Sequence, residues 1–297
     1  MPEGPEVRVY SEIINELIKG KEIIDIIPRK ENEKLNNFKI NLPLKVLKVE
    51  AIGKLMYFIL ENDFVIMFTF GLTGHFSTNE IGQGIVRYEF IFNSLNKKVS
   101  FSKLKNKLDI DEGIKHTPIK LINSLTPDNK LYYIDQLNFG KPIFGNTSTL
   151  NKKIKTLGID ILLTEITQTQ FIEIIRKIII KKPDLSIYEF LMNQKYLCGI
   201  GNYLSHEILY HSKISPHRQI NDLELPEIKK IYRVTCKIIK WSYKTQGGKY
   251  DYFTNIKIPT ENFKLFIYGK NKCKKGEIKI DKIIQGRKVR WCPEIQN

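Results

Sequence analysis

At 297 residues with 42% hydrophobic content, the chain is long enough for two domains with separate cores and too apolar to be disordered. Its formal charge of +16 is unevenly placed: residues 1–150 hold 20 Lys and Arg against 18 Asp and Glu, and residues 151–297 hold 28 against 14. No 18-residue apolar run is present, and Glu3, Glu6 and Arg8 break a signal-peptide pattern, which argues against a membrane span or export.

From Glu6 to Lys19 the apolar residues Val7, Tyr10, Ile13, Ile14, Leu17 and Ile18 recur at helical spacing, with Gly20 as a stop. Between about Ile40 and Phe144 the pattern changes to short runs of period two: Lys45 to Ala51, Lys54 to Leu60, Phe64 to Phe70, Arg87 to Phe92 and Leu131 to Gln136. Turn residues at Glu61-Asn62-Asp63 and Asn93 to Lys97 separate them, and the whole reads as an antiparallel β-sandwich carrying one helix. The small, polar stretch Gly145 to Thr149 reads as a linker, so the expected division is 1–145, a linker at 146–155, and 156–297.

Beyond it the signals are helical: Gln168 to Lys182, Ile187 to Asn193, Tyr203 to Ser212 and Leu225 to Thr245, with Phe263 to Tyr268 as a further short helix. Pro183, Pro216 and Gly247-Gly248 supply the stops. From about residue 269 the runs Glu277 to Ile284 and Lys288 to Trp291, joined through Gln285-Gly286-Arg287, predict a hairpin. The fold class is therefore α+β and multi-domain. Cys198, Cys236, Cys273 and Cys292 are too few and too scattered for a disulfide framework and suit a reducing compartment.

Four segments carry chemistry. Removal of Met1 from Met1-Pro2-Glu3-Gly4-Pro5-Glu6 exposes the secondary amine of Pro2, a nucleophile that titrates near ~8 and can form a Schiff base. Glu3 beside it can move protons. In Gly199-Ile200-Gly201-Asn202-Tyr203 the glycines let backbone N–H groups approach an anion, and Asn202 can donate to a phosphate oxygen. Lys54 after Gly53 and Arg287 at the hairpin turn are further phosphate donors. Each is ordinary alone: Met-Pro starts, glycine turns and surface cations are common. The basic second half favours a polyanion partner over a mere bias toward Lys, Ile and Asn.

Read in order, these segments resemble the Fpg/Nei family of DNA glycosylases with lyase activity. The resemblance is carried by Met1 to Glu6, Gly53-Lys54, Phe70-Gly71-Leu72-Thr73-Gly74, Asp135 through Phe139-Gly140, Asp160-Ile161-Leu162, Gln194 to Leu204, Ile267-Tyr268-Gly269 and Gly286-Arg287. It implies an N-terminal β-sandwich domain and a C-terminal domain with a helix-two-turns-helix motif, acting as a monomer, with no cofactor, on duplex or single-stranded DNA bearing oxidised bases or abasic sites. By that resemblance Pro2 attacks C1′ of a flipped nucleotide, Glu3 moves protons at the sugar, and β and δ elimination cut the strand on both sides. Lys54, Asn202 and Arg287 match phosphate-holding positions, and Glu6 matches a pocket carboxylate near Pro2 and the lesion.

Two departures stand out. Many members end in a four-cysteine zinc finger, whereas here Cys273 is followed at the pair spacing by Gly276 and Cys292 by Ile295. Two thiolates do not make a closed structural zinc site, so no metal is expected, and Trp291, Ile278, Ile280, Ile283 and Val289 are the apolar material available to hold the hairpin. This resembles the zincless finger of the eukaryotic Nei-like glycosylase 1 group. The composition suits an AT-rich genome such as a giant DNA virus, and a nuclear or viral replication compartment.

The second departure lies in the residues that fill the gap left by a flipped base. Leu72, Leu137 and Phe139 stand where the family has Met, Arg and Phe, so discrimination of the opposite base should be weak. The segment between Gly248 and Tyr268, with Tyr250, Tyr252 and Phe253, is shorter than in the purine-lesion branch, which favours oxidised pyrimidines and hydantoins. Two readings compete with an enzyme on DNA: a DNA-binding scaffold that lost the chemistry, and a proline-dependent tautomerase of small molecules, which explains Pro2 alone.

Overall fold

The computed structural model describes residues 2–29, 40–78, 85–96, 129–140, 142–245, 264–283 and 287–297, with only the backbone at 282 and 283. They form two compact units, one of Pro2 with the described residues between 7 and 154, the other of 3–6 with the described residues from 155 onward. Helix α1 (Gly4–Ile18) is shared between them. Its apolar stripe Val7, Tyr10, Ile13, Ile14, Leu17 and Ile18 is buried along its whole length, and Gly20, at φ 79°, ends the helical path.

The first unit is built on β1 (Glu22–Pro28), β2 (Leu44–Ile52), β3 (Leu55–Leu60), β4 (Phe64–Thr69), β5 (His75–Ser77), β6 (Val86–Phe92), β7 (Lys130–Ile134) and β8 (Pro142–Asn146). They hydrogen-bond in the order β5-β7-β6-β1-β2-β3-β4-β8, every neighbour antiparallel. At the β1–β2 junction only Glu22↔Lys45 and Ile23↔Leu44 pair. The sheet turns over there, because the rings of Phe58 on β3 and Phe68 on β4 meet Phe76, Phe90 and Tyr133 on β5, β6 and β7 at centroid distances of 5.0 to 6.3 Å. These rings are fully buried and form the centre of the predicted sandwich.

Strand β1 was not among the expected runs. A register shift between Ile23 and Asp25 breaks the period-two pattern, so Ile23 and Ile26 are buried while Ile24 is exposed. The stretch read as a linker is folded: it finishes β8 and opens helix α2 (Thr147–Ile154), which the Asn146 side chain caps through the Thr149 amide at 2.9 Å.

The second unit contains α3 (Gln168–Ile179), α4 (Ile187–Met192), α5 (Asn202–Ser212) and α6 (Leu225–Lys244), close to the expected spans. Reciprocal capping boxes at Thr167/Gln170 and Ser186/Glu189 start α3 and α4. Phe171, Ile175, Ile187, Phe190, Leu191, Leu204, Ile208, Ile231 and Ile238 make its core. The connection from α4 to α5 runs through β10 (Leu197–Cys198), which pairs in parallel with β9 (Ile159–Asp160) from before α3. Gln194 staples this connection, accepting from the Gly199 amide at 2.9 Å and donating to the Ile200 carbonyl at 2.7 Å.

The hairpin is present as β11 (Lys279–Ile283) and β12 (Arg287–Trp291). Val289 joins the helical core, and Ile278 packs with Tyr210, Ile267 and Cys292. Ile280, expected inside, is 47% exposed, because a two-stranded ribbon has only one face to bury. The stretch 264–268 makes bends and turns, not the expected short helix, since the Glu207 carboxylate takes its amides, those of Phe266, Ile267 and Tyr268, at 3.0 to 3.1 Å. Cys273 and Cys292 are joined as a single disulfide, where none was expected: folding of the hairpin brings together two residues 19 apart in sequence. Among the described residues, no group of three or more His, Cys, Asp or Glu is placed to hold a metal ion.

Candidate active site

Helix α5 begins without a cap of its own, because Gly201 at its N-cap has no side chain. The cap comes from the start of the chain. The Glu3 carboxylate, 2% exposed, accepts from the amides of Gly201 at 2.6 Å, Tyr203 at 2.9 Å and Leu204 at 3.3 Å. A helix N-terminus favours an anion, through its unpaired N–H groups and its dipole. Next to it, the Gly4 amide donates to the Gly199 carbonyl at 2.8 Å. A Cβ on Gly4 would lie 2.8 Å from the Gly199 Cα, so this approach requires glycine. Two predicted motifs about 200 residues apart thus meet, and Pro2, itself buried, precedes Glu3 by one peptide bond.

Glu6 supports that peptide bond. Its carboxylate accepts from the Glu3 amide at 2.8 Å and from the Tyr203 hydroxyl, which also lies 2.7 Å from Ser242 Oγ on α6. All three side chains are buried. Burial pushes the Glu6 carboxyl upward, with its hydrogen bonds from Tyr203 and Glu3 opposing. Burial, with the charges of Glu6 and Glu3, pushes the Tyr203 phenol well above its ordinary value, so it stays a donor.

Asn202 is the first residue of α5, and its Oδ1 accepts from the Tyr188 hydroxyl at 2.6 Å. With the oxygen engaged, the amide NH2 is what Asn202 offers to a ligand. Burial pushes the Tyr188 phenol up to about 12, against the pull of the Arg287 guanidinium and with a push from Glu3. The tyrosine that holds Asn202 thus also feels the charges of Arg287 and Glu3. Arg287 is exposed at the start of β12. His206, one turn beyond Asn202, is 2% exposed, and burial lowers it to about 4 from 6.5.

That value has a sign. The unfolded chain takes up this proton below 6.5 and the folded chain only near 4. The stabilisation is fully present above pH 6.5 and is lost as pH falls toward 4, by roughly 3 kcal/mol for one group. The raised carboxyls of Glu6 and Glu207 act oppositely, losing their contribution as pH rises. Denaturant titrations of the parent and His206→Phe between pH 4 and 6.5 should therefore differ by an acid-dependent term that the variant lacks.

The remaining predicted residues belong to the first unit. Gly53 and Lys54 form the two-residue turn between β2 and β3, with Gly53 at φ 54°, so Lys54 sits at a hairpin tip. Leu72, Leu137 and Phe139 lie on two loops zipped together by the fully buried Asp135, which accepts from Thr73 Oγ1 and from the Gly140 amide at 2.7 Å. Thr73 Oγ1 in turn accepts from the Leu137 amide at 3.1 Å. Gly71, at φ 55°, has no room for a Cβ, which would fall 2.7 Å from Phe139 Cβ. The zipped loops leave Leu72, Leu137 and Phe139 48%, 46% and 63% exposed, so none is sandwich core. Tyr250, Tyr252 and Phe253 lie outside the described residues. Tyr188, His206 and Ser242 escaped the sequence reading, because a buried polar residue on an apolar helix has no local signature.

The family described as "Formamidopyrimidine-DNA glycosylase N-terminal domain" matches residues 1–142, and that described as "Formamidopyrimidine-DNA glycosylase H2TH domain" matches residues 157–254. Among curated relatives, the formamidopyrimidine-DNA glycosylase of Listeria monocytogenes serovar 1/2a is 27% identical over the whole of both chains. That of Prochlorococcus marinus strain MIT 9215 is 33% identical over 61% of this chain and 63% of its own length. Among solved structures, the LlFpg protein in complex with a THF-DNA and an inhibitor superposes with a TM-score of 0.76 at 21% identity, covering 99% of each chain. The Lactococcus lactis Fpg bound to an oxidised pyrimidine containing DNA superposes at 0.74 and 22% identity, again covering 99% of each.

Proposed function

The chain belongs to the formamidopyrimidine-DNA glycosylase family, and on that footing we propose that it is a bifunctional DNA glycosylase and abasic-site lyase using the Pro2 amine as nucleophile. The observation that carries this reading is the seat of Glu3 on the first turn of α5, which sets the residue after Pro2 against the Gly201-Asn202-Tyr203 backbone. After loss of Met1, the Pro2 nitrogen attacks C1′ of the damaged nucleotide and the base departs with a proton. The resulting iminium loses the 3′ and then the 5′ phosphate by β and δ elimination, leaving a one-nucleotide gap. Glu3 moves the protons at the sugar, while Lys54, Asn202 and Arg287 hold phosphates. Glu6 keeps the Pro2–Glu3 peptide in place through the Glu3 amide. The finger works without zinc, and oxidised pyrimidines and hydantoins are the preferred lesions.

Borohydride trapping on DNA containing an abasic site tests this. A covalent adduct is expected; a scaffold would shift the DNA without one, and a small-molecule tautomerase would do neither. About one zinc per purified chain would overturn the zincless finger.

Flipping a base costs a few kcal/mol, which inserted side chains must offset. Because Leu72 is exposed, Leu72→Ala should leave stability within about 0.5 kcal/mol of the parent. Its affinity for a lesion-containing duplex should nevertheless fall about tenfold. Leu137 offers no hydrogen bond to an orphaned base, so excision rates should vary little among the four opposite bases. A strong dependence would contradict that role.

A further inference from the structure

We propose that His206 is a positioning residue that holds Asn202 and Arg287 at the spacing required by the DNA backbone, an inference that rests on the reading of both as phosphate donors. The imidazole is the link between the helix carrying one and the strand carrying the other. Its Nε2 accepts from the Arg290 amide at 2.8 Å, so Nε2 is the unprotonated nitrogen. Its Nδ1 then bears the proton and donates to the Asn202 carbonyl. Arg290 lies in β12, three residues beyond Arg287.

The need for such a link follows from the hairpin. A ribbon of two strands leaves one edge of β12 without a strand partner, and in a buried setting each such N–H must find an acceptor. His206 supplies it in place of a third strand. The ring is held on two sides, with the rings of Tyr188 and Tyr268 each 5.6 Å away. Tyr188 is the residue whose hydroxyl orients the Asn202 amide. One buried imidazole therefore touches the Asn202 backbone, the Asn202 orienter and the Arg287 strand. Its neutral state agrees with this placement, since a charged ring would have no bare nitrogen for Arg290.

The test uses the full chain with Met1 removed and a duplex carrying a tetrahydrofuran abasic-site analogue. His206→Phe keeps a ring between the two tyrosines but loses both hydrogen bonds. Its dissociation constant should rise about tenfold. The slope of log affinity against log salt should shrink by about one, the signature of one lost phosphate contact. His206→Gln, which retains an acceptor for the Arg290 amide, should recover most of both. In combination with Arg287→Ala, the Phe substitution should no longer change the salt slope, because the charged contact it disturbs is already gone.

A Phe variant that loses thermal stability while keeping the parental affinity and salt slope overturns the proposal, as does full additivity with Arg287→Ala. Should the Phe variant not fold, His206→Met takes its place in the same comparison. A parent protein that fails to bind the duplex at all sinks the underlying reading instead.

Discussion

Pro2→Gly is expected to cut the yield of the borohydride-trapped adduct sharply and to lower strand cleavage at an abasic site by about three orders of magnitude or more. A secondary amine condenses with an aldehyde to an iminium that is cationic without further protonation, which is the electron sink elimination needs. Glycine at the same place gives a neutral imine that must be protonated first. Its amine is also free to rotate, whereas the buried pyrrolidine ring is held. Protein that retains Met1 carries the whole Pro2 side chain but an amide in place of the amine, and it should show the same loss. That pair of results separates the nitrogen chemistry from ring packing. Binding to the tetrahydrofuran duplex should persist in both, since the proposed phosphate donors Lys54, Asn202 and Arg287 are untouched. An adduct of parental yield in the Met1-retaining protein would move the nucleophile to another residue.

Glu3→Gln is expected to slow excision of an oxidised pyrimidine by ~10² to 10⁴, the usual contribution of a positioned acid or base. The structure adds a second consequence. In the parent, one carboxylate oxygen accepts from Gly201 and Leu204 and the other from Tyr203. A Gln side chain can present only one oxygen, so at least one buried amide faces an NH2 donor, at a cost of about 1–3 kcal/mol. The variant should therefore be both slower and less stable. Single-turnover excision, measured at a temperature where circular dichroism shows the variant folded, distinguishes the two effects. Parental excision in a folded Glu3→Gln protein would reduce Glu3 to the N-terminal cap of α5.

Much of the architecture was legible because its signals are local. Helices α3 to α6 lie within a few residues of their expected spans, since an apolar period and a Pro or Gly stop act within one or two turns. Strand β1 was missed because a bulge put Ile24 outside and broke the alternation. The supposed linker is helix α2, whose cap is the side chain of Asn146, a residue equally at home in a loop. The expected helix at 264–268 lost to Glu207, which claims that segment's amides from α5. In each case a partner distant in sequence overrode a local preference.

The residues proposed to carry the chemistry, Pro2, Glu3, Lys54, Asn202 and Arg287, are named from the chain alone, since their types and motif order are properties of the sequence. Only the tertiary structure decided what holds them. It made Glu3 the cap of a helix that starts near residue 200, set Glu6 and Tyr203 around the Glu3 amide, and placed His206 between Asn202 and the Arg287 strand. The physical reason is that a buried polar group must be paired wherever its partner lies in the chain, and burial is a property of the folded molecule.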